Sequence, residues 1–321
     1  MSNYNPKVSV MIVTYNQVDL IGETIESVVS QNYENLEIVV ADDASTDGTQ
    51  AVIAEYEEKY PNVVRPVFNP VNLNVTGNSN AAFHACTGEL IAVLGGDDIF
   101  LPGKLSAQVK DFADPAVVMS YHPVDIFIHQ TGEVVFTTNS TEKEKINDVY
   151  DVIAKCGIPG ASSLMVRRSA CPEYGFDTRF PVVSDWMFCI EVALKGKIKE
   201  LPGVYGKYRK HGLGVSNRSF ELLDESLRTL DIISARYPHD EKIQRACQVG
   251  ANRYLLGELY RQVIKRDTDK INQLTPYFLA RNSGLQRVLM TIALKMLSSK
   301  LLIGFLVGPL RRLKSVLKRN V

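Results

Sequence analysis

Long hydrophobic runs are missing from this 321-residue sequence. The apolar stretch Leu301–Leu310 is far shorter than the roughly 20 residues that cross a bilayer, so no membrane-spanning segment is expected. The opening residues, Met1 to Lys7, lack the charged and apolar regions of a signal peptide and run straight into a strand pattern, which predicts a cytoplasmic protein. Cysteine is scarce as well: Cys86, Cys156, Cys171, Cys189 and Cys247 are odd in number, widely spaced and free of any CxxC or Cys/His cluster. This argues against a disulfide framework or a zinc site and points to a reducing compartment. No Gly-x-Gly-x-x-Gly follows a strand pattern, which disfavours a dinucleotide oxidoreductase. An enzyme that makes sugar nucleotides would carry a Gly-rich, basic phosphate loop after its first strand, where this chain runs from Thr14 to Asp19. Net charge is also absent, with 36 basic and 36 acidic residues. That balance hides an asymmetry, because Lys270 to Val321 holds ten Lys or Arg and no acid, leaving 26 basic against 36 acidic residues before it. No recognition motif accompanies this cationic tail, so nucleic acid is not an expected partner. Internal repeats, low-complexity tracts and long linkers are lacking too.

What is present alternates between strand and helix patterns. Val8–Thr14 is a short β-branched apolar run, and Leu20–Gln31 then places Leu20, Ile21, Ile25, Val28 and Val29 at helical spacing. Leu36–Ala41 repeats the strand signal, residues 42–48 form a polar turn, and Thr49–Tyr60 is helical again. Val63–Asn69 predicts a third strand, Ser79–Cys86 a helix, and Leu90–Leu94 a fourth strand that stops at Gly95, Gly96, Asp97 and Asp98. A helix is expected after Leu101 as far as Phe112. Further strands are expected at Ala116–His122, Glu133–Thr137, Ala161–Arg167 and before Tyr208. From about Ser216 the pattern is helical throughout. The alternation predicts an α/β fold with a mostly parallel sheet flanked by helices, followed by a helical C-terminal region.

Open α/β sheets bind ligands beyond the carboxyl ends of their strands, which selects Thr14, Tyr15 and Asn16, then Asp42 and Asp43, then Asp97 and Asp98. The adjacent carboxylates of Asp97 and Asp98 suit Mg²⁺ or Mn²⁺, which bind through one or two carboxylates and keep positions for diphosphate oxygens. A helix N-cap ahead of Pro102 is the alternative. Asp42 and Asp43 offer acceptors to a nucleobase N–H or a ribose hydroxyl, and Tyr15 a flat face for a base, against the alternative of a capped turn. Far downstream Asp185 stands beside the only tryptophan, Trp186, where an apolar helix begins. It is either a helix cap or a general base that takes the proton of an attacking hydroxyl.

Three separated motifs in this order resemble family 2 glycosyltransferases over about residues 6 to 217. Val8 to Asn16 is similar to the family's opening strand with its base-stacking Tyr15, and the helix containing Glu23 follows it. Val40 to Thr49 resembles the second nucleotide motif, which implies that Asp43 recognises the base. Asn80 and Glu89 to Leu94 match the approach to the metal loop. Residues 157–167 resemble a segment bordering the acceptor pocket. Ser184 to Phe188, continuing to Tyr208, Arg209 and His211, is similar to the catalytic segment and its closing loop. Many family members carry Asp, Arg and Glu where this chain has Gly95, Ser79 and Ser184.

The resemblance implies a GT-A (nucleotide-diphospho-sugar transferase) fold, with a nucleotide-binding half over about 1–115, a catalytic and acceptor half over 116–217, and a helical region over 218–321. It implies an inverting transfer from a nucleotide-sugar donor, with a uridine diphosphate sugar favoured, to a saccharide or lipid-linked saccharide acceptor. Asp185 would be the base. Thr14, Tyr15, Asn16, Glu23, Asp43, Asn80 and Asp97 would bind the donor. Asp98, mildly favoured over Asp97, would hold Mn²⁺ or Mg²⁺, His211 would either close over the donor or help hold the metal, and Ser184 and Trp186 would lie on the acceptor side. A non-catalytic, sugar-nucleotide-binding or scaffold protein of the same fold is the rival. Retention of Asp98 and Asp185 argues against it.

Between Gln286 and Val321 apolar residues at helical intervals are interleaved with Lys and Arg. Such a segment is expected to lie on an anionic membrane surface, placing the protein at the inner face of the cell membrane. The alternative is packing on the catalytic core or in a homo-oligomer.

Overall fold

The computed structural model describes residues 4–211, 220 and 222–298. The strands are β1 (Val8–Thr14), β2 (Leu36–Asp42), β3 (Val64–Phe68), β4 (Leu90–Gly95), β5 (Ile99–Phe100), β6 (Val117–Tyr121), β7 (Val124–Ile128), β8 (Val134–Thr137), β9 (Met165–Arg167), β10 (Lys197–Glu200) and β11 (Gly206–Lys210). The helices are α1 (Val18–Val29), α2 (Thr49–Lys59), α3 (Asn74–Ala85), α4 (Lys104–Val109), α5 (Val149–Ala154), α6 (Ser184–Ala193), α7 (Leu223–Arg236), α8 (Glu241–Lys265), α9 (Thr268–Ala280) and α10 (Gly284–Leu297).

The main sheet runs β10-β6-β9-β4-β1-β2-β3, and a smaller sheet runs β5-β11-β7-β8. β1 lies at the heart of the first, parallel to β2 and β4, and six of its seven residues are buried. A strand covered on both faces reads as a continuous apolar run, which is why Val8–Thr14 shows no alternation. Its register pairs Thr14 with Asp42 and Val13 with Gly95, so three strands end along one edge. β9 is antiparallel to both β4 and β6, a mixed pairing that apolar content alone does not reveal.

Two apolar layers cover the sheet. One packs Ile21, Ile25 and Val28 of α1 and Ile53 of α2 against Val10, Ile12, Ile38 and Val40. The other joins Met11, Val39 and Ile91 to Trp186, Phe188, Leu227, Leu230, Leu255 and Ile271. The helical region thus shares a core with the sheet. Large-to-small changes at such positions cost about 2–5 kcal/mol.

As far as Leu94 the chain follows the sequence expectations within a few residues, except that α3 starts at Asn74 rather than Ser79; beyond it β5, β7 and α5 stand where no element was expected. Asp97 and Asp98 lead into β5, while α4 starts only at Lys104 after Gly103, so the carboxylate pair caps no helix. Of the strand expected at Ala161–Arg167, residues Ala161–Ser163 form a 3₁₀ turn and only Met165–Arg167 is extended. The domain boundary near residue 217 and the tail beyond Ser298 lie outside the described residues. Among the described residues no helix is long and apolar enough to cross a membrane.

Candidate functional site

A cleft of about 700 Å³ opens at the carboxyl edge of β1, β2 and β4. Thr14, Tyr15, Asn16, Asp43, Asn78, Gly95, Asp97, Asp98, His129, Val182, Tyr208 and His211 all border it. The part of the cleft around Tyr15 is held by hydrogen bonds between the loops after β1 and β2. Asn16 adopts a left-handed φ of 51°; its N–H donates to Ser45 Oγ at 2.8 Å and its Oδ1 accepts Thr46 N–H at 2.9 Å, joining the loops after β1 and β2. Asp43 donates its N–H to Thr14 O at 3.1 Å, while its Oδ1 accepts Leu73 N–H at 2.7 Å and Asn69 Nδ2 at 3.3 Å. Among the described residues none is shown bonding the second oxygen of Asp43, and the residue borders the cleft. Tyr15 is 48% exposed, so a ring face is open to stacking.

The carboxylate corner has a specific geometry. His211 Nε2 donates to Asp97 Oδ2 at 2.7 Å, and the Arg209 N–H donates to Asp98 Oδ1 at 3.0 Å. The other two oxygens converge: a Cβ on Gly95 would lie 2.8 Å from Asp97 Oδ1 and 3.7 Å from Asp98 Oδ2. Glycine at position 95 therefore leaves space that two carboxylate oxygens face. Burial, and then the neighbouring Asp97, push the Asp98 carboxyl well above the usual carboxylate range. A divalent cation in that space would offset the repulsion, so the pair fits a hard metal that takes its remaining ligands from phosphate and water. Among the described residues no three His, Cys, Asp or Glu side chains form a preformed metal cage.

Asp185 occupies the first turn of α6 and is solvent-exposed, with Oδ1 accepting Trp186 N–H at 2.8 Å. It does not itself border the cleft; Val182, three residues earlier, does. Two anchors hold this approach. Glu225 Oε2 on α7 accepts the N–H groups of Val182 and Val183 at 3.1 and 2.9 Å, and Thr76 Oγ1 on α3 lies 2.7 Å from Ser184 Oγ.

The structure thus gathers Thr14, Tyr15, Asn16, Asp43, Asp97, Asp98 and His211 around one cleft, with Asp185 and four other candidates outside its lining. Glu23 pairs with Arg209 at 2.6 Å. Asn80 is fastened at both ends of its amide to the backbone of Phe176, at 2.7 and 2.8 Å, which ties α3 to the loop before α6 and leaves little for a donor. Ser184 is buried against Thr76, and Trp186 is buried with Nε1–H on Val152 O at 3.0 Å. These last two brace Asp185 rather than facing an acceptor. Asn78, His129, Thr76 and Glu225 were not anticipated. Asn78 donates from Nδ2 to Ala41 O at 3.0 Å, a use of an amide that no local pattern announces.

Comparison with known proteins gives consistent results. Residues 9–174, just over half of the chain, match the model for Glycosyl transferase family 2. An uncharacterized glycosyltransferase of Nostoc sp. is 33% identical over 213 residues, covering 64% of this chain and 65% of that protein. The chain spans 61–65% of the length of the first curated relatives it matches. The UDP-Glc:alpha-D-GlcNAc-diphosphoundecaprenol beta-1,3-glucosyltransferase WfaP of Escherichia coli is 28% identical over 238 residues, covering 72% of this chain and 88% of that protein. Among solved structures, S. aureus TarS 1-349 in complex with UDP superposes with a TM-score of 0.64 at 16% identity, covering 95% of this chain and 91% of that one. The mannosyltransferase PcManGT from Pyrobaculum calidifontis, in complex with GDP-Man and Mn²⁺, gives 0.60 at 18% identity over 99% and 88%. The fold is GT-A.

Proposed function

The chain belongs to glycosyl transferase family 2, and from that premise we propose that it transfers a sugar from a nucleoside diphosphate sugar, a uridine diphosphate sugar first among them, to a hydroxyl of a lipid-linked saccharide, with inversion. The reaction would serve the assembly of a bacterial surface polysaccharide at the inner face of the cell membrane. The observation that carries this reading is the convergence of Asp97 Oδ1 and Asp98 Oδ2 on one open space beside Gly95, in the cleft that also holds the Tyr15 ring and Asp43. A lipid-linked acceptor is supported by the name of the Escherichia coli relative.

Each residue then has a defined task. The Tyr15 face stacks on the base and the free oxygen of Asp43 accepts a base N–H. Thr14 and Asn16 fix the loop that carries Tyr15. Asp97 and Asp98 would hold Mn²⁺ or Mg²⁺, with His211 beside Asp97. The ion supplies charge neutralisation for the departing nucleoside diphosphate. Asp185 removes the proton of the acceptor hydroxyl as it attacks.

The test is binding and hydrolysis of a panel of nucleotide sugars with Mn²⁺, with Mg²⁺ and with chelator, for wild type, Asp98→Ala and Asp185→Asn. One donor should bind only with metal, and Asp98→Ala should lose that binding. Asp185→Asn should still bind while turnover falls about 10²-fold or more. If no donor binds under any condition, the transfer reading fails and a scaffold role replaces it.

A further inference from the structure

His129 follows β7 and borders the cleft beside Asp97, Asp98 and His211. Its N–H donates to Lys210 O at 3.0 Å, which fixes the backbone against the end of β11. The side chain is exposed, yet one nitrogen is fastened: Arg209 Nη1 lies 2.9 Å from Nδ1. A guanidinium has five donors and no acceptor, so Arg209 must donate and Nδ1 must accept. The ring N–H therefore resides on Nε2, for which the described residues supply no partner.

Arg209 is held firmly enough to impose that arrangement. It is buried, and its Nε donates to Asp97 O at 2.7 Å while its backbone N–H donates to Asp98 Oδ1 at 3.0 Å. Its Nη2 pairs with Glu23 Oε2 at 2.6 Å, and its plane lies over Phe127, 4.9 Å from the ring centre. One guanidinium thus joins α1, β7 and the turn after β4. The side of His129 facing away from Arg209 is a hydrogen-bond donor on the wall of a cleft whose other lining includes the carboxylates of Asp97 and Asp98, which are acceptors. Phosphate oxygens supply acceptors only, so those not taken by a cation need a donor from another wall.

We propose that His129 Nε2–H binds the β-phosphate of the nucleoside diphosphate, oriented by Arg209 and, through Arg209, by Glu23. This rests on the transfer reading above. Glu23 then acts as a positioning residue, reaching the donor through two side chains rather than by contact.

The experiment compares the affinity of nucleoside diphosphates and the matching monophosphates, each with Mn²⁺, by calorimetry across uridine, guanosine and thymidine. Wild type is set beside His129→Asn, His129→Gln and Glu23→Gln, with thermal melting as a check on folding. Asn keeps an acceptor near the Nδ1 position for Arg209 and removes the outer N–H, whereas Gln carries an amide nitrogen near the Nε2 position. His129→Asn should weaken diphosphate binding about ten-fold or more, as expected for a hydrogen bond to a charged group, and leave monophosphate binding within about two-fold. His129→Gln should recover part of the loss, and Glu23→Gln should shift the same ratio in the same direction. Unchanged diphosphate affinity in His129→Asn would overturn the proposal, as would an equal loss for both nucleotides. If wild type binds no nucleoside diphosphate at all, the transfer reading itself is lost and this inference goes with it.

Discussion

At the scale of single residues, Gly95 and Gly96 are neighbours with separable roles. A Cβ on Gly96 would lie 2.4 Å from Gln17 Oε1 and 2.7 Å from Thr14 Cβ, so the turn after β4 and the end of β1 would have to part. A Cβ on Gly95 meets only the ends of two acidic side chains, Asp97 Oδ1 at 2.8 Å and Asp98 Oδ2 at 3.7 Å. Gly96→Ala is therefore expected to lower stability by about 1–3 kcal/mol, as overpacking does, and to shift the urea midpoint. Gly95→Ala should leave the midpoint near wild type and weaken Mn²⁺ binding instead, because Asp97 must turn from the space it shares with Asp98. Urea titration and Mn²⁺ titration of both variants separate the two effects; a Gly95→Ala protein with full metal affinity would contradict the assigned site. The same local logic explains why the carboxylate pair was legible in the sequence. Adjacent acids after an apolar strand and two glycines form a pattern confined to a few positions. His129 escaped, and Arg209 was legible only as part of the closing loop, because their meaning lies in the bonds that join His129, Arg209, Asp97 and Glu23 across 80 to 186 residues.

At the scale of elements, Glu37 fastens the edge of the sheet opposite the cleft. Its carboxylate accepts Thr87 N–H at 2.5 Å, Thr87 Oγ1 at 2.8 Å and Gly88 N–H at 3.2 Å, takes the Ser9 hydroxyl, and pairs with Lys7 at 2.6 Å. One buried side chain in β2 thus ties β1 to the turn before β4. Burial raises its pKa, but Lys7, Ser9 and Thr87 together outweigh that and hold the group at about 2. Because the folded value lies below the ordinary 4.5, the ionised form favours folding. The contribution is complete above about pH 5, shrinks as pH falls from 4.5 towards 2, and vanishes below that. Glu37→Gln should therefore be less stable at neutral pH by up to about 3 kcal/mol, with the gap closing in acid; urea midpoints at pH 7, 4 and 3 measure it. A gap independent of pH would assign the loss to shape rather than charge. Sequence reading found β1, β2, β3 and β4 because each is an apolar run ended by polar turn residues. It missed β5 and β7 because a two-residue strand has no pattern and Val124–Ile128 follows β6 across only His122 and Pro123. Those strands make up half of the small sheet, and His129 directly follows β7, so the unread strand and the unread site residue share one cause.

At the scale of the whole molecule, α10 presents two apolar faces. Leu294 is buried, and Met290 and Leu297 pack against the core. Leu285, Val288, Leu289, Ile292 and Met296 face outward, 49 to 73% exposed. Leu285, Leu289, Ile292 and Met296 recur every three or four residues with Val288 beside them, making a single stripe along the helix, and a contiguous exposed apolar stripe is the mark of an interaction surface. Arg287 and Lys295 lie on the same helix, and no acid occurs between Lys270 and the final Val321. The charge favours an anionic lipid surface over a second copy of the same cationic segment, at about 1 kcal/mol per basic residue near the membrane. A lipid-linked acceptor would require such an address. The full chain is expected to sediment with phosphatidylglycerol-containing vesicles and not with phosphatidylcholine alone. The double variant Leu289→Glu, Ile292→Glu should weaken that association about ten-fold or more, because it puts two charges where apolar side chains would enter the interface. High salt should weaken it as well. If instead the double variant still sediments with vesicles but loses self-association in ultracentrifugation, the stripe is covered by a second protomer, and the lipid contact must be sought elsewhere.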